Sequence, residues 1–342
     1  MKAGQMNGTY SIGVDLGGTN LRIASYAGGV DFLDSILLPT RLTEGADRVV
    51  RDMCEGIDAL RSKENGGRRL IGIGIGSPGP IQLPEGVLRN PPNLPGWDSF
   101  QLRQAIETEL KTPVQVESDA NLAALAEQKL GAGMMYRIDS LCVLTLGTGV
   151  GSGLVFHGRI WHGATGMGGE AGHIIVRDDG GAPCGCGGYG CLEQYASAPG
   201  ILRMARERMW DAAPATAHDV AIMARLGDAR ASSVFDTVGH SLAIALTSLI
   251  NTLNLPMYLL GGGVSEAWDL FASAMFADLR ERSYVYRLTQ PDVLQPSSLE
   301  KNKTYILGAQ LGPAAGLLGA CLLPYQRKLQ VAELAEDLLA HQ

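Results

Sequence analysis

Twice in this chain a run of apolar, strand-forming residues breaks off at a Leu-Gly pair into a Gly/Thr turn. The first copy is Ile12-Gly-Val-Asp-Leu-Gly-Gly-Thr19 and the second is Cys142-Val-Leu-Thr-Leu-Gly-Thr-Gly149. Aliphatic and β-branched residues in a short run make a strand, and the glycines that follow turn the chain. Two readings stand. Either the chain is an internal duplication, with two domains of related topology that each open on a phosphate-sized hairpin, or it carries two unrelated Gly-containing hairpins. At 342 residues the length is a prior for about two domains of about 150 residues each. Glycine is the compositional outlier: 45 copies is nearly twice the usual frequency of about 7 %. No collagen period accompanies it, so the glycine is used where backbone turns sharply or approaches a ligand closely.

The rest of the composition excludes several classes. Lys+Arg 28 against Asp+Glu 35 gives a net charge of −7, with no local Lys or Arg block, which argues against a nucleic-acid partner. A hydrophobic content of 46% with 18% charged residues describes a folded globular chain. The start, MKAGQMNGTY, has no apolar signal core. Ser241 to Leu260 is interrupted by Ser, Thr, Asn and Pro256, and reads as a buried helix followed by a strand, not as a membrane span. Cys54, Cys142 and Cys321 stand singly in apolar surroundings as small buried thiols, and the default is a cytoplasmic chain with reduced thiols.

Strand runs alternate with longer helical patterns, which gives an α/β class with helices packed on mixed sheets. Strands are expected over Tyr10–Asp15, Leu21–Tyr26, Phe32–Leu38, Leu70–Gly76, Val114–Glu117, Leu141–Leu146, Leu154–His157 and Met257–Leu260. Helices are expected over Asp47–Arg61, Ser99–Leu110, Ala120–Leu130, Ser197–Trp210, Ser232–Leu253, Glu266–Arg282, Leu311–Leu322 and Arg327–Leu339. No Pro/Ser-rich linker separates the halves, so the crossing is expected near Ser118–Asn121.

Several motifs bear on chemistry. No GxxxxGK[ST] run exists. Gly74-Ile-Gly-Ser-Pro-Gly79 has the G-x-G-x-x-G spacing, but Pro78 and the lack of an acidic strand end about 20 residues on argue against a dinucleotide site. Asp15-Leu-Gly-Gly-Thr19 places a carboxylate at a strand end, able to hold a hydrated Mg²⁺, beside glycines whose N–H groups approach a polyphosphate. The plain alternative is a hairpin whose glycines only turn the chain. Gly147-Thr148-Gly149 repeats the arrangement and Gly261-Gly262-Gly263 adds a third such loop, which three ordinary turns explain poorly. Asp119, in Glu117-Ser-Asp-Ala-Asn121, is either the N-cap of the next helix or a general base for a substrate hydroxyl.

The sharpest constellation is Gly169-Glu170-Ala-Gly-His173 followed by Cys184-x-Cys186-x₄-Cys191-x-Glu193. One His and three thiols are the donor set of a closed tetrahedral Zn²⁺ site, whereas disulfide pairing strands one thiol. The glycine-rich loop Asp179–Gly190 has little to order it except a metal. Glu170 and Glu193 bracket the ligands and suit polyol hydroxyls, unless they are solvated loop charges. His157, His162, His218, His240 and His341 read as ordinary surface or core residues. Trp97 reads as loop packing, with Asn93 able to face a ligand.

Taken together, these residues resemble the ROK family of sugar kinases and repressors, from Gly13 to about Leu322, with the Glu170…His173…Cys184…Cys186…Cys191…Glu193 signature as the most specific part. The resemblance implies two actin-like (ribonuclease-H-like) α/β domains with an active-site cleft between them and a zinc-bound loop at 173–193. It implies a smaller domain over 1–118, completed by a C-terminal helix at about 323–342, and a larger one over 119–322. It further implies an ATP-dependent hexose kinase, with the Asn93-Leu-Pro-Gly-Trp97 loop similar to the glucokinase branch and an N-acetylhexosamine kinase as the nearest rival. Asp119 aligns with the family's catalytic base. Gly79, Asn93, Ser118, Glu170, His173 and Glu193 align with sugar-contacting positions, and Asp15, Gly17, Gly18, Thr19, Asn20, Gly147, Thr148 and Gly149 with phosphate and Mg²⁺ positions. Gly261, Gly262 and Gly263 would lie against the adenosine, and His173, Cys184, Cys186 and Cys191 would hold the zinc. The family suggests a homodimer, with no nucleic-acid or membrane partner. About ten residues before the first strand are too few for the repressors' helix-turn-helix. Two departures stand out: Ser118 where most relatives have Asn, and Asn20 where many have Lys.

Overall fold

The computed structural model of the chain describes residues 8–63, 66–91, 93–208, 214–294 and 296–326. The helix expected over Arg327–Leu339, the helix end at Trp210 and His341 lie outside them. The fold is α/β in two compact units. One holds the described residues up to Gly131, the segment Gly158–Gly168 and the described residues from Pro313 on; the other holds Ala132–His157 and Gly169–Gly312.

In the first unit β1 (Thr9–Leu16), β2 (Asn20–Tyr26) and β3 (Asp34–Pro39) form an antiparallel meander, followed by α1 (Ala46–Arg61) and β4 (Arg69–Ser77). A two-strand hairpin, β5 (Ile81–Gln82) and β6 (Val87–Leu88), leads to α2 (Leu102–Leu110), β7 (Val114–Ser118) and α3 (Asp119–Lys129). The sheet order is β3-β2-β1-β4-β7, with β4 and β7 parallel to β1. All eight residues of β1 are buried, as a strand covered on both faces requires. One face meets α1 through Val49, Met53, Ile57 and Leu60. The glycines of the other let a helix over 315–326 approach to backbone contact. A Cβ at Gly13 or Gly74 would overlap the backbone of Cys321 or Ala320. The Gly72-Ile-Gly-Ile-Gly76 run is therefore a helix-packing surface, and two of the three glycines of the dinucleotide-like spacing, Gly74 and Gly76, serve that packing. α3 packs on β4 and β7, so Asp119 lies in the first unit and the boundary follows Gly131, not residue 118.

The second unit starts with α4 (Ala132–Tyr136), β8 (Leu141–Leu146) and β9 (Val150–Phe156); the short β10 (Arg159–Ile160) belongs to the first unit. Then come α5 (Glu193–Ala196), α6 (Ala198–Arg208), α7 (Ala217–Arg225), α8 (Ala229–Leu253), β11 (Met257–Gly261), α9 (Trp268–Arg282), α10 (Tyr284–Thr289) and β12 (Tyr305–Gly308). Strands run in the order β9-β8-β11-β12, β8/β9 antiparallel and the others parallel. This repeats the β2-β1-β4-β7 arrangement of the first unit, pairing for pairing, and decides for a duplicated topology over two unrelated hairpins. α8 is long and apolar enough to cross a membrane by length and composition, but 56% of that window is buried inside the protein. It is the core helix of its unit, and Gly239 lets α9 approach its backbone.

Candidate functional site

Parallel strands expose their carboxyl ends on one edge of a sheet, the edge where α/β proteins place ligands. In the first unit that edge carries the predicted residues. The register aligns Asp15 with Gly76 and Gly76 with Glu117, and sets Ser77 opposite Ser118. The β1–β2 turn is closed by the Gly17 N–H on the Asn20 carbonyl at 2.9 Å and steadied by the Thr40 hydroxyl on the Gly17 carbonyl at 2.7 Å. Gly18 and Thr19 sit exposed at its tip, and the backbone carbonyl of Asn93 faces Gly18. Asp15 is nearly buried and gripped by Arg22: Nε reaches Oδ2 at 2.9 Å, Nη2 bonds the same oxygen, and Nη1 donates to the Pro313 carbonyl at 2.7 Å. Sequence reasoning passed over Arg22, although a hairpin closing at Leu16 and Leu21 places residues 15 and 22 opposite each other.

At Asp119 the two sequence readings separate. Ser118 is the N-cap of α3, with φ −63 and ψ 139 and no side-chain capping bond; Asp119 is the first helical residue. Its carboxylate accepts from the Ala120 N–H at 2.7 Å and remains exposed. Glu117 takes the anchoring part instead, accepting from the Ser118 N–H and from Asn121 Nδ2, both at 2.9 Å. His162, expected to be an ordinary histidine, has Nε2 2.6 Å from Glu117 Oε2 and a pKa raised by that hydrogen bond.

In the second unit the Gly147–Gly149 turn, the Gly261–Gly263 loop and Glu193 come together. Glu193 Oε2 accepts from the Val150 N–H at 3.0 Å, and a Cβ on Gly149 would overlap that carboxylate. Gly262, at φ +86, lies against the Leu146 backbone, where a side chain has no room. The Ala198 N–H on the Gly147 carbonyl at 2.8 Å ties the turn to the start of α6.

The four candidate metal ligands also converge. Cys186 and Cys191 Sγ are 3.7 Å apart, Cys184 Sγ is 3.7 Å from His173 Nδ1, and all four ligand atoms lie within 4.8 Å of one another. Tetrahedral Zn²⁺ with Zn–S of about 2.3 Å spaces its donors roughly 3.5–3.8 Å apart, so the donor set fits that ion. The Gly188 N–H lowers the Cys186 pKa, which favours the thiolate a metal needs. Backbone bonds also order the loop: the Cys184 N–H meets the Gly188 carbonyl and the Gly190 N–H the Ala182 carbonyl, each at 2.8 Å. With Nδ1 facing the thiols, His173 turns Nε2 toward Glu170 Oε2 at 3.9 Å. Desolvation raises the Glu170 pKa, His173 opposes the rise and Glu193 adds to it. Glu193 Oε1 is 3.9 Å from Cys184 Sγ, so one carboxylate links the cysteine loop to the glycine turn.

The model of the ROK family matches residues 11–327. The chain belongs to the ROK family. It is 39% identical over 277 residues to a glucokinase of Halalkalibacterium halodurans, covering 77% of this chain and 83% of that protein. The crystal structure of the ROK hexokinase of Thermus thermophilus superposes with a TM-score of 0.78 at 32% identity, covering 94% of this chain and all of that one. A ROK family glucokinase of Streptomyces griseus, solved with glucose and AMPPNP, gives 0.73 at 28% identity over 93% and 99% of the two chains.

Proposed function

We propose that the protein is an ATP-dependent hexose kinase acting as a glucokinase, and that Asp119 is its general base. The observation that carries this reading is similarity to glucokinases over most of the chain, in a fold that sets a carboxylate and two glycine turns at the carboxyl ends of parallel strands. The 6-hydroxyl oxygen of glucose bonds to the γ-phosphorus of ATP, the bond from that phosphorus to the β–γ bridging oxygen breaks, and ADP leaves. Asp119 accepts the hydroxyl proton. The exposure of its carboxylate supports this role over a capping one.

The remaining residues bind and orient. N–H groups of the Gly17–Asn20 and Gly147–Gly149 turns meet phosphate oxygens, and the Gly261–Gly263 loop lies against adenosine. Gly79, Asn93, Ser118, Glu170, His173 and Glu193 meet sugar hydroxyls, with Ser118 setting preference among hexoses. Asp15 would orient the water shell of a Mg²⁺ bound with ATP, which would supply charge neutralisation at the phosphates. His173, Cys184, Cys186 and Cys191 would hold a structural Zn²⁺, which would fix the His173 ring with Nε2 on the Glu170 side, toward the sugar. The same reading carries a cytoplasmic homodimer with no nucleic-acid or membrane partner.

The test is ADP release from Mg-ATP with glucose, mannose, N-acetylmannosamine, N-acetylglucosamine and fructose, with Asp119→Asn alongside. Expected is the highest kcat/KM for glucose and a loss of about 10²–10⁴-fold in kcat for the variant. Preference for an N-acetyl sugar would move the substrate assignment and keep the chemistry. Silence across the panel in a folded, zinc-loaded protein would replace the kinase with a sugar-binding regulator.

A further inference from the structure

A carboxylate buried beside a proposed general base needs a reason to be there. The Glu117 side chain is 4% exposed, at the last buried position of β7, where an apolar residue would pack at no electrostatic cost. Both of its oxygens are engaged. Oε1 accepts from the Ser118 N–H and Asn121 Nδ2, so it grips the chain immediately before Asp119 and two residues after it. Oε2 meets His162 Nε2 at 2.6 Å. The histidine is fixed in turn by a glycine-shaped loop. The Gly168 N–H donates to the His162 carbonyl at 2.8 Å, Gly163 and Gly166 adopt φ +67 and +81, and a Cβ at Gly168 would overlap Trp161 and the His162 backbone. The pair borders a 740 Å³ cleft.

We propose that Glu117 and His162 form an ion pair that positions Asp119, with the protonated imidazole as the countercharge that keeps Glu117 ionised and its two anchoring hydrogen bonds in register. Neither residue touches substrate in this arrangement; they act through Asp119 and are positioning residues. The proposal rests on Asp119 being the base. A buried anion without its cation is costly and takes up a proton or moves toward water, and either response loosens the first turn of α3.

The other charged groups on the cleft are Glu85 in the β5–β6 hairpin and Arg103 on α2, which is paired with Glu107; the helix over 315–326 contributes only Leu323 and Gln326. Among the described residues lining the cleft, His162 is the one whose ordinary pKa lies near neutrality. Its pKa is raised above the ordinary 6.5 by the Glu117 hydrogen bond against the lowering effect of burial. As pH rises through that raised value the imidazolium loses its proton and the pair its attraction, so kcat falls on the alkaline side. The pair's contribution to stability follows the same sign: it is fully present below about 6.5 and lost as pH passes the folded-state value.

The experiment compares kcat, KM for glucose and the pH profile of kcat for the parent, His162→Gln, His162→Arg and Asp119→Asn, with circular dichroism to follow folding. For His162→Gln we expect kcat lower by about tenfold with KM for glucose within about twofold, the signature of lost positioning rather than lost binding. His162→Arg restores a permanent cation with a fork that matches a carboxylate; it should recover kcat and abolish the alkaline fall. A parent-like kcat and pH profile in His162→Gln would overturn the proposal. Should the Gln variant fail to fold, the Arg variant decides: an alkaline fall at the parent's pH in that protein would equally overturn it. An active Asp119→Asn would overturn the base assignment and this proposal together, whereas an inactive one beside indifferent His162 variants would sink this proposal alone.

Discussion

At the residue scale the molecule uses carboxylates in pairs of unlike surroundings. Asp15 is nearly buried and fastened to Arg22, while Asp119 is exposed at the mouth of its helix. The first is held in place by a guanidinium and the second faces solvent. Replacing Arg22 by Met removes the half-exposed cation that pairs with the nearly buried Asp15. Because the Arg22 side chain is 37% exposed, the expected cost is only about 1 kcal/mol of stability, read by urea unfolding, with the KM for Mg-ATP raised severalfold as Asp15 loses its orientation. An unchanged KM would separate Asp15 from nucleotide binding. Asp15 with its glycine turn and Asp119 at a strand end were legible in the sequence as candidates, because turns and strand ends are local. Arg22, Glu117 and His162 were not. Arg22 needs the strand register, and the partner of Glu117 arrives from a loop far along the chain.

At the element scale, glycine decides how closely things pack. The β1–β4 face is cleared of side chains so that the helix over 315–326 can lie on it, with the Ser11 hydroxyl bonding the Cys321 carbonyl at 2.6 Å. A Gly74→Val chain should lose roughly 1–3 kcal/mol, seen as an earlier midpoint in chemical denaturation; an unmoved midpoint would show that the helix can shift at no cost. The metal loop is the other element with a clear expectation. Cys186→Ser with Cys191→Ser should bind no stoichiometric zinc by metal analysis and should raise the KM for glucose several times more than the KM for ATP. Equal damage to both would mean that the loop supports the whole unit, not the sugar alone. Helix and strand positions came close from periodicity, but ends moved: β9 begins at Val150 and α9 at Trp268, since strand pairing and 3₁₀ turns set those limits. α7, α10 and β12 had no expectation, because their patterns are short and acquire meaning only against α8, α9 and β11.

At the scale of the whole molecule, the described residues form two hydrophobic cores, one in each unit, built on sheets of the same pairing order. Separate cores predict more than one unfolding transition, and only the one belonging to the metal-loop unit should fall when zinc is chelated. A single calorimetric transition that moves as a whole would contradict this. The sequence by itself determined the α/β class, the repeated strand–turn unit, the His and Cys set that could hold a metal and the residue offered as base, because each is written in neighbours or in short, fixed spacings. Only the tertiary structure decided that the repeat is a true duplication of topology, that α3 and Asp119 belong with the first sheet, that Ser118 rather than Asp119 caps the helix, and that Glu117 meets His162. Those four depend on register and on contacts between distant segments, where burial and hydrogen bonding choose among arrangements that local preference leaves equal.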